Sequence, residues 1–358
     1  MDRPTVAVTT GDPAGIGPEV VVAAYPDLLA DARPVVVGDA DILRRAADIV
    51  GSDREILAVD RVADVPAERG ADAAVPVIDL DDVDSDALAH GEVREEYGAA
   101  SLAYVERAAE LAVAGDVDAI ATAPINKQAT RLAGSEHAGH TGLLADYTDA
   151  ETYAMMLVED DLRVTHVSTH VPLVEACERV TAAAVRDAIG VTVEGLRDLG
   201  IPDPTVAVAG LNPHASDGGL LGTVEQSEIR PAVEDAREAG IDAYGPESPD
   251  TVFAQAAGGA ADCVVAMYHD QGHIPIKMLG FASDDAVSGV NVTVGLPIVR
   301  TSVDHGTAFD IAGEGVASPA SLIDAVELAA RIARNRAERT ADSGSDTGRE
   351  TPDPETDP

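Results

Sequence analysis

The sequence predicts an α/β fold with a largely parallel sheet. Three observations lead there. Short runs rich in β-branched residues alternate with longer segments of helical periodicity. The strand candidates are continuous apolar runs, such as Val35-Val36-Val37 and Val206-Ala207-Val208-Ala209, as suits a sheet covered on both faces. Hydrophobic residues make up 46% of the 358, enough for a full core; with 3 Phe and no Trp, that core must be built from Val, Ala, Leu and Ile. The length allows two domains or one large α/β unit.

In chain order, strands are expected over 5–10, 34–39, 75–80, 118–125, 153–158, 163–171, 205–212, 263–268 and 290–299. Helices are expected over 18–31, 39–50, 98–114, 182–199, 224–239, 250–258 and 319–338. The first strand runs into "TTGDPAGIGPEV", where Gly11, Gly15 and Gly17 with Pro13 and Pro18 fix a tight strand-to-helix turn. Pro18 suits the first helical turn, and Glu19 complements the helix dipole. The glycine spacing is not the G-x-G-x-x-G dinucleotide fingerprint. Helix 98–114 places Leu102, Val105, Ala109, Leu111 and Ala112 at helical spacing and closes at Gly115, a C-cap. The acidic, proline-containing stretch 59–95 is read as a strand with surface loops. The tail 341–358 lacks large apolar residues and is expected to be disordered.

With 64 acidic and 24 basic residues, the formal charge is −40. Such a field excludes nucleic acid and anionic membranes as partners, and the even spread of acid fits a solvated, salt-adapted surface. The N-terminus lacks an apolar signal core and no run approaches about 18 apolar residues, so a cytoplasmic protein without a membrane span is expected. The 2 cysteines, Cys177 and Cys263, do not look like a disulfide framework and each has flanks suited to a buried apolar position. Lysine is nearly eliminated: only Lys127 and Lys277 remain, each at the end of an apolar run.

Three histidines stand at or just after strand candidates: His170 in "STHVPL", His214 in "GLNPHA" and His269 in "YHDQGH". The carboxyl ends of strands line the ligand crevice of open α/β sheets, so three imidazoles there can make a divalent-metal site. Three satisfied core histidines would look the same in sequence. His166, on the same strand face as His170 but deeper, is read as structural. His140 and Thr141 form a polar turn before a helix, able to bind a phosphate or hydroxyl or to cap the helix. Asn291 and Arg300 bracket an apolar strand, and Arg300 offers a fork for carboxylate or phosphate. In the loop that follows, Asp310 is placed to hydrogen-bond an NAD ribose.

Together "TTGDPAGIGPE", "ATAPINK", "GHT", "THVPL", "GLNPHA", "YHDQGHIPIK" and "GLPIVRTSVDHGTAFDIAG" resemble the 4-hydroxythreonine-4-phosphate dehydrogenase (PdxA) family, from about residue 4 to 335. The stretch "DHGTAFDIAGEGVASP" also resembles the nucleotide loop of isopropylmalate and isocitrate dehydrogenases. The resemblance implies a fold of that kind: one α/β domain from 1–125 plus 300–340, a second from 126–299, and a cleft between them. It implies His170, His214 and His269 as metal ligands shared across a homodimer interface. It further implies His140, Thr141, Lys277, Asn291 and Arg300 at the substrate. Lys277 and Asp270 are then expected to serve catalysis, Lys277 as a proton carrier and Asp270 by orienting a metal ligand. NAD is implied at 304–313, through His305, Gly306, Thr307 and Asp310. The metal would be zinc, or else cobalt, manganese or magnesium. The implied reaction is NAD-linked oxidation of the C3 hydroxyl of a small 4-phosphorylated hydroxy acid, then decarboxylation of the β-keto acid.

One departure bears on the substrate. His273 after "HDQG" and the longer segment 278–290 look less like the pyridoxine-biosynthesis branch than like the branch acting on 4-phospho-D-threonate and D-erythronate 4-phosphate. Two alternatives stand beside this reading. One is a decarboxylating dehydrogenase of a non-phosphorylated cis-dihydrodiol acid; the other is a metal-dependent hydrolase or lyase that uses no nicotinamide.

Overall fold

A computed structural model describes residues 3–66, 74–137, 139–282 and 289–345. Its strands are β1 (Thr5–Thr9), β2 (Arg33–Gly38), β3 (Ile56–Val59), β4 (Val75–Asp79), β5 (Ala119–Thr122), β6 (Ala154–Glu159), β7 (Leu162–His166), β8 (Thr205–Ala209), β9 (Asp242–Glu247), β10 (Cys263–Ala266), β11 (Val290–Val294) and β12 (Arg300–Val303). They form one sheet in the order β3-β4-β2-β1-β5-β12-β11-β6-β7-β10-β8-β9. The helices are α1 (Gly17–Leu28), α2 (Ala40–Val50), α3 (Glu95–Ala114), α4 (Lys127–Leu132), α5 (His140–Tyr147), α6 (Leu173–Arg179), α7 (Ala182–Asp198), α8 (Arg230–Glu238), α9 (Val252–Ala257), α10 (His269–Ala282) and α11 (Ala320–Ser345).

The apolar runs are buried on both sides, as their continuity predicts. Val6, Val8 and Val36 join a cluster with α1 and α11, while Ala7, Val35 and Val37 join another with α3. Pairing is parallel except in the middle of the sheet, where β12–β11, β11–β6 and β6–β7 are antiparallel. Two hairpins produce this reversal. Asp160, at φ 48°, sits in the turn joining β6 to β7. Gly295, at φ 90°, ends β11; a Cβ there would lie 2.4 Å from the Thr152 carbonyl oxygen. The expected strand 290–299 therefore stops at Val294, because the chain turns at Gly295-Leu296-Pro297 and the next strand, β12, starts only at Arg300.

Several expectations need correction. Strand 163–171 ends at His166, so His166 and His170 do not share a strand face; His170 adopts φ 39° in the following loop. The edge strands β3 and β9 were not expected: β3 is a four-residue run, Ile56-Leu57-Ala58-Val59, and β9 carries Gly245 and Pro246 and no continuous apolar run. His140 and Thr141 open α5 with Gly139 as the residue before it, so Thr141 is not an N-cap. Cys177 is exposed, while Cys263 is buried. Helix α11 continues to Ser345, into the tail expected to be disordered; 346–358 lie outside the described residues, as do 283–288 of the 278–290 segment.

The largest correction concerns "YHDQGHIPIK". Gly272 and Pro275 disfavour a helix in isolation, yet α10 runs through both and lies over β7, β10 and β6. Gln271 fastens its start, accepting from the Met267 N–H at 2.7 Å and donating to the Gly210 carbonyl at 2.7 Å. Gly272 is required for the close approach, as a Cβ would sit 2.4 Å from His166 Nε2. At positions i, i+4 and i+8, His269, His273 and Lys277 then share one helix face.

Candidate active site

That face borders a cavity of about 700 Å³. β5 and the start of α4 form one wall, β12 and its following loop another, and α10 with the loop after β7 a third. Because α10 rises about 1.5 Å per residue, its ladder spans roughly 12 Å, from the carboxyl end of β10 to that of β12. Both lysines of the chain, Lys127 and Lys277, border this one cavity.

At one end lies Arg300, 3% exposed. Its guanidinium donates to Thr122 Oγ1 at 2.7 Å and Thr293 Oγ1 at 3.1 Å, while Nε has no partner. Among the described residues no carboxylate pairs with it. Burial pulls its pKa down to about 9, which leaves it a cation at neutral pH. A buried, unpaired cation is costly, so this group is poised for an anion that the chain does not supply. His140 stands nearby with its Nε2 buried and unpartnered. Burial, then the charges of Arg300 and Lys127, hold its pKa well below 6.5, so it is a neutral imidazole. Lys127 begins α4, whose N-cap Asn126 accepts from the Gln128 and Ala129 N–H groups at 2.9 and 3.0 Å.

At the other end four imidazoles gather. His269 and His273 stack at 3.6 Å between ring centroids, and His170 lies 5.5 Å from His269. His273 Nδ1 is 3.0 Å from the His269 carbonyl oxygen and 3.2 Å from His166 Nε2. Burial drives the pKa of His166 down to about 3 and that of His273 to about 4; it lowers His170 as well. All three are neutral at pH 7. His269 Nδ1 meets Asp270 Oδ1 at 2.7 Å, and a ring that donates there keeps a lone pair on Nε2.

Between the ends, Lys277 Nζ donates to Asp304 Oδ2 at 2.5 Å, and Asn291 Nδ2 donates to Asp304 Oδ1 at 3.2 Å. Asp304 was missed by sequence reasoning, although it stands in the quoted "DHGTAFD" beside His305. The hydroxyls of Thr122 and Thr293 were missed too, because a threonine in an apolar strand reads as β-propensity. Of the loop 304–313, His305 and Gly306 border the cavity, Thr307 packs against the β1–α1 turn, and Asp310 is exposed.

His214 is not brought to this cluster. Its side chain, 67% exposed, lies 3.8 Å from Asp250 in a second cavity of about 620 Å³, bordered also by Ile274, Pro275 and Met278 of α10. Within one chain α10 thus separates His214 from the face bearing His269. Among the described residues, no three His, Cys, Asp or Glu side chains are grouped to hold a metal ion. No helix among them is long and apolar enough to cross a membrane.

Fold and site define an α/β protein with a buried cationic pocket and an imidazole cluster along a common cavity. Residues 30–329 match the family described as "Pyridoxal phosphate biosynthetic protein PdxA". The chain is 48% identical to "D-threonate 4-phosphate dehydrogenase" of Salmonella typhimurium, covering 93% of this chain and 100% of that one. It is 44% identical to "4-hydroxythreonine-4-phosphate dehydrogenase" of Desulforapulum autotrophicum, over 92% and 95% of the two chains. A solved 4-hydroxythreonine-4-phosphate dehydrogenase from Klebsiella pneumoniae superposes with a TM-score of 0.81 at 45% identity, covering 92% of this chain and 98% of that one. The chain belongs to the PdxA family.

Proposed function

We propose that this protein is an NAD-linked, divalent-metal-dependent dehydrogenase acting on the C3 hydroxyl of a small 4-phosphorylated hydroxy acid, with decarboxylation of the product. The observation that carries the reading is Arg300. In a chain of net charge −40, a buried guanidinium with no carboxylate partner among the described residues shares a cavity with Lys127 and Lys277. Charge of that sign concentrated there supports an anionic substrate. The names of the relatives favour D-threonate 4-phosphate, with D-erythronate 4-phosphate and 4-phosphohydroxy-L-threonine as related candidates.

His170, kept neutral by burial, and His269, whose ring Asp270 fixes, suit a metal ion, since imidazole nitrogens are its usual donors. A bound divalent ion would polarise the substrate hydroxyl as a Lewis acid, and NAD would take the hydride. The third ligand, His214, would come from a second copy. Support for a homodimer is the apolar exposure near it: Leu220 at 82%, Met278 at 67% and Ile274 at 58%. Arg300 and Lys127 hold the substrate's anionic groups, and neutral His140 adds a hydrogen bond without a charge. Lys277, whose ammonium Asp304 holds while Asn291 steadies Asp304, would donate the proton that the enolate left by decarboxylation takes up. For NAD, Gly306 offers backbone at the cavity rim with open space where a Cβ would stand. The acidic surface fits a salt-rich cytoplasm.

The test is a screen of D-threonate 4-phosphate, D-erythronate 4-phosphate and 4-phosphohydroxy-L-threonine with NAD⁺ and zinc, cobalt, manganese or magnesium. NADH absorbance and identification of the decarboxylated ketone would be measured. The reading fails if no acid reduces NAD⁺, or if the unphosphorylated acids react equally well.

A further inference from the structure

The motif "GDPAGIGPE" takes no part in the reaction outlined above, yet its last residue makes a specific long-range contact. Glu19, in the first turn of α1, is 2% exposed. Its Oε1 accepts the Gly313 N–H at 2.6 Å and its Oε2 accepts the Gly315 N–H at 2.8 Å. Both glycines hold left-handed backbone, at φ 89° and 69°. The His90 ring closes the far side, since a Cβ on Gly313 would lie 2.9 Å from its Cδ2. The same turn also fixes the loop's beginning. The Ile16 N–H donates to the Thr307 carbonyl at 3.1 Å, and a Cβ on Gly15 would touch Thr307 at 3.0 Å. The loop is therefore secured at Thr307 and at Gly313–Gly315, with exposed Asp310 between.

We propose that Glu19 is a positioning residue for the nucleotide: it holds the loop 304–315 in a binding-ready shape without touching the ligand. The inference rests on the reading of that loop as the NAD site. A structural helix-end role does not account for the contact, because both carboxylate oxygens are spent on the distant loop rather than on α1 itself. A loop already ordered loses less entropy when it binds, and carboxylate–amide bonds are among the stronger hydrogen bonds. Glutamine keeps the shape but presents an NH₂ to one of the two N–H donors, so one bond is lost and a donor–donor contact is created.

The full chain and Glu19→Gln would be titrated with NAD⁺ by calorimetry and with inorganic phosphate as a control for the Arg300 pocket. Amide exchange of the segment 306–316 would be followed by mass spectrometry. The expected result is NAD⁺ binding weakened about tenfold or more, faster exchange in that segment, and unchanged phosphate affinity. Equal NAD⁺ affinity in a folded variant overturns the inference alone. Absence of NAD⁺ binding by the wild-type chain, with faster exchange in the variant, overturns the cofactor reading instead. A parallel loss of NAD⁺ and phosphate binding marks general destabilisation and also overturns the inference. Should Glu19→Gln not fold, Glu19→Asp retains the charge but retracts the carboxylate, and the same outcomes apply.

Discussion

At the two ends of the cavity burial acts in the same sense but leaves opposite charge states. At the Arg300 end it lowers a pKa that starts so high that the group remains charged at about 9. At the histidine end it acts on groups that start near 6.5 and leaves them neutral, His166 at about 3 and His273 at about 4. The same desolvation thus yields an anion receptor where the residue is Arg and a set of lone-pair donors where the residues are His. Lys277 and Asp304 join the two as an ion pair, charged but locally neutral.

The comparison breaks most sharply at His269. His269→Ala is expected to drop metal-stimulated turnover to background while circular dichroism still reports a folded chain; retained turnover would remove the imidazole end from the chemistry. At the cationic end, Arg300→Met is expected to raise KM for the phosphorylated acid by about 10²-fold, as loss of ~2–4 kcal/mol of charged contact predicts. Its Tm should not fall, because a buried charge without a protein counter-ion is removed. A lower Tm with unchanged KM would make Arg300 a structural residue.

A third test sharpens the contrast through stability and pH. His166 has a folded pKa depressed to about 3, so its contribution is present above 6.5 and is lost as pH falls from 6.5 toward 3. Asp12, fully buried with Oδ2 unpartnered, has its pKa raised by burial to about 6. Its contribution is present below 3.8 and is lost as pH rises through 6. Asp12→Asn should therefore raise Tm by a few degrees at pH 7 and leave it unchanged at pH 3.5, whereas His166→Asn should flatten the acid limb. Thermal scans from pH 3.5 to 8 check both. The smallest effect is expected from Asp310→Ala: a rise of about two- to threefold in KM for NAD⁺, since an exposed polar contact is worth about 0.5 kcal/mol. No change would take Asp310 out of the nucleotide site.

Much of this was legible in the residues. Continuous apolar strands alternating with helical periods specify an α/β sheet buried on both sides, because each period fixes which positions leave water. Scarcity made Lys127 and Lys277 conspicuous, and both prove to border one cavity. His273, without a role in sequence, turns out to stack on His269. By contrast, nothing local marked α10 as a helix, since Gly272 and Pro275 argue against one. Its face is decided by contacts with β6 and β7, which lie far away in sequence, as well as with the adjoining β10.

The sequence by itself determined the sheet class, the acidic surface and the residue types available to the site, since these follow from composition and short-range periodicity. Only the tertiary structure decided that Asp304 would pair with Lys277, that Thr122 and Thr293 would hold Arg300, and that His214 would face away from His269. Those outcomes depend on strand order, on the central antiparallel reversal and on burial, none of which is a property of neighbouring residues.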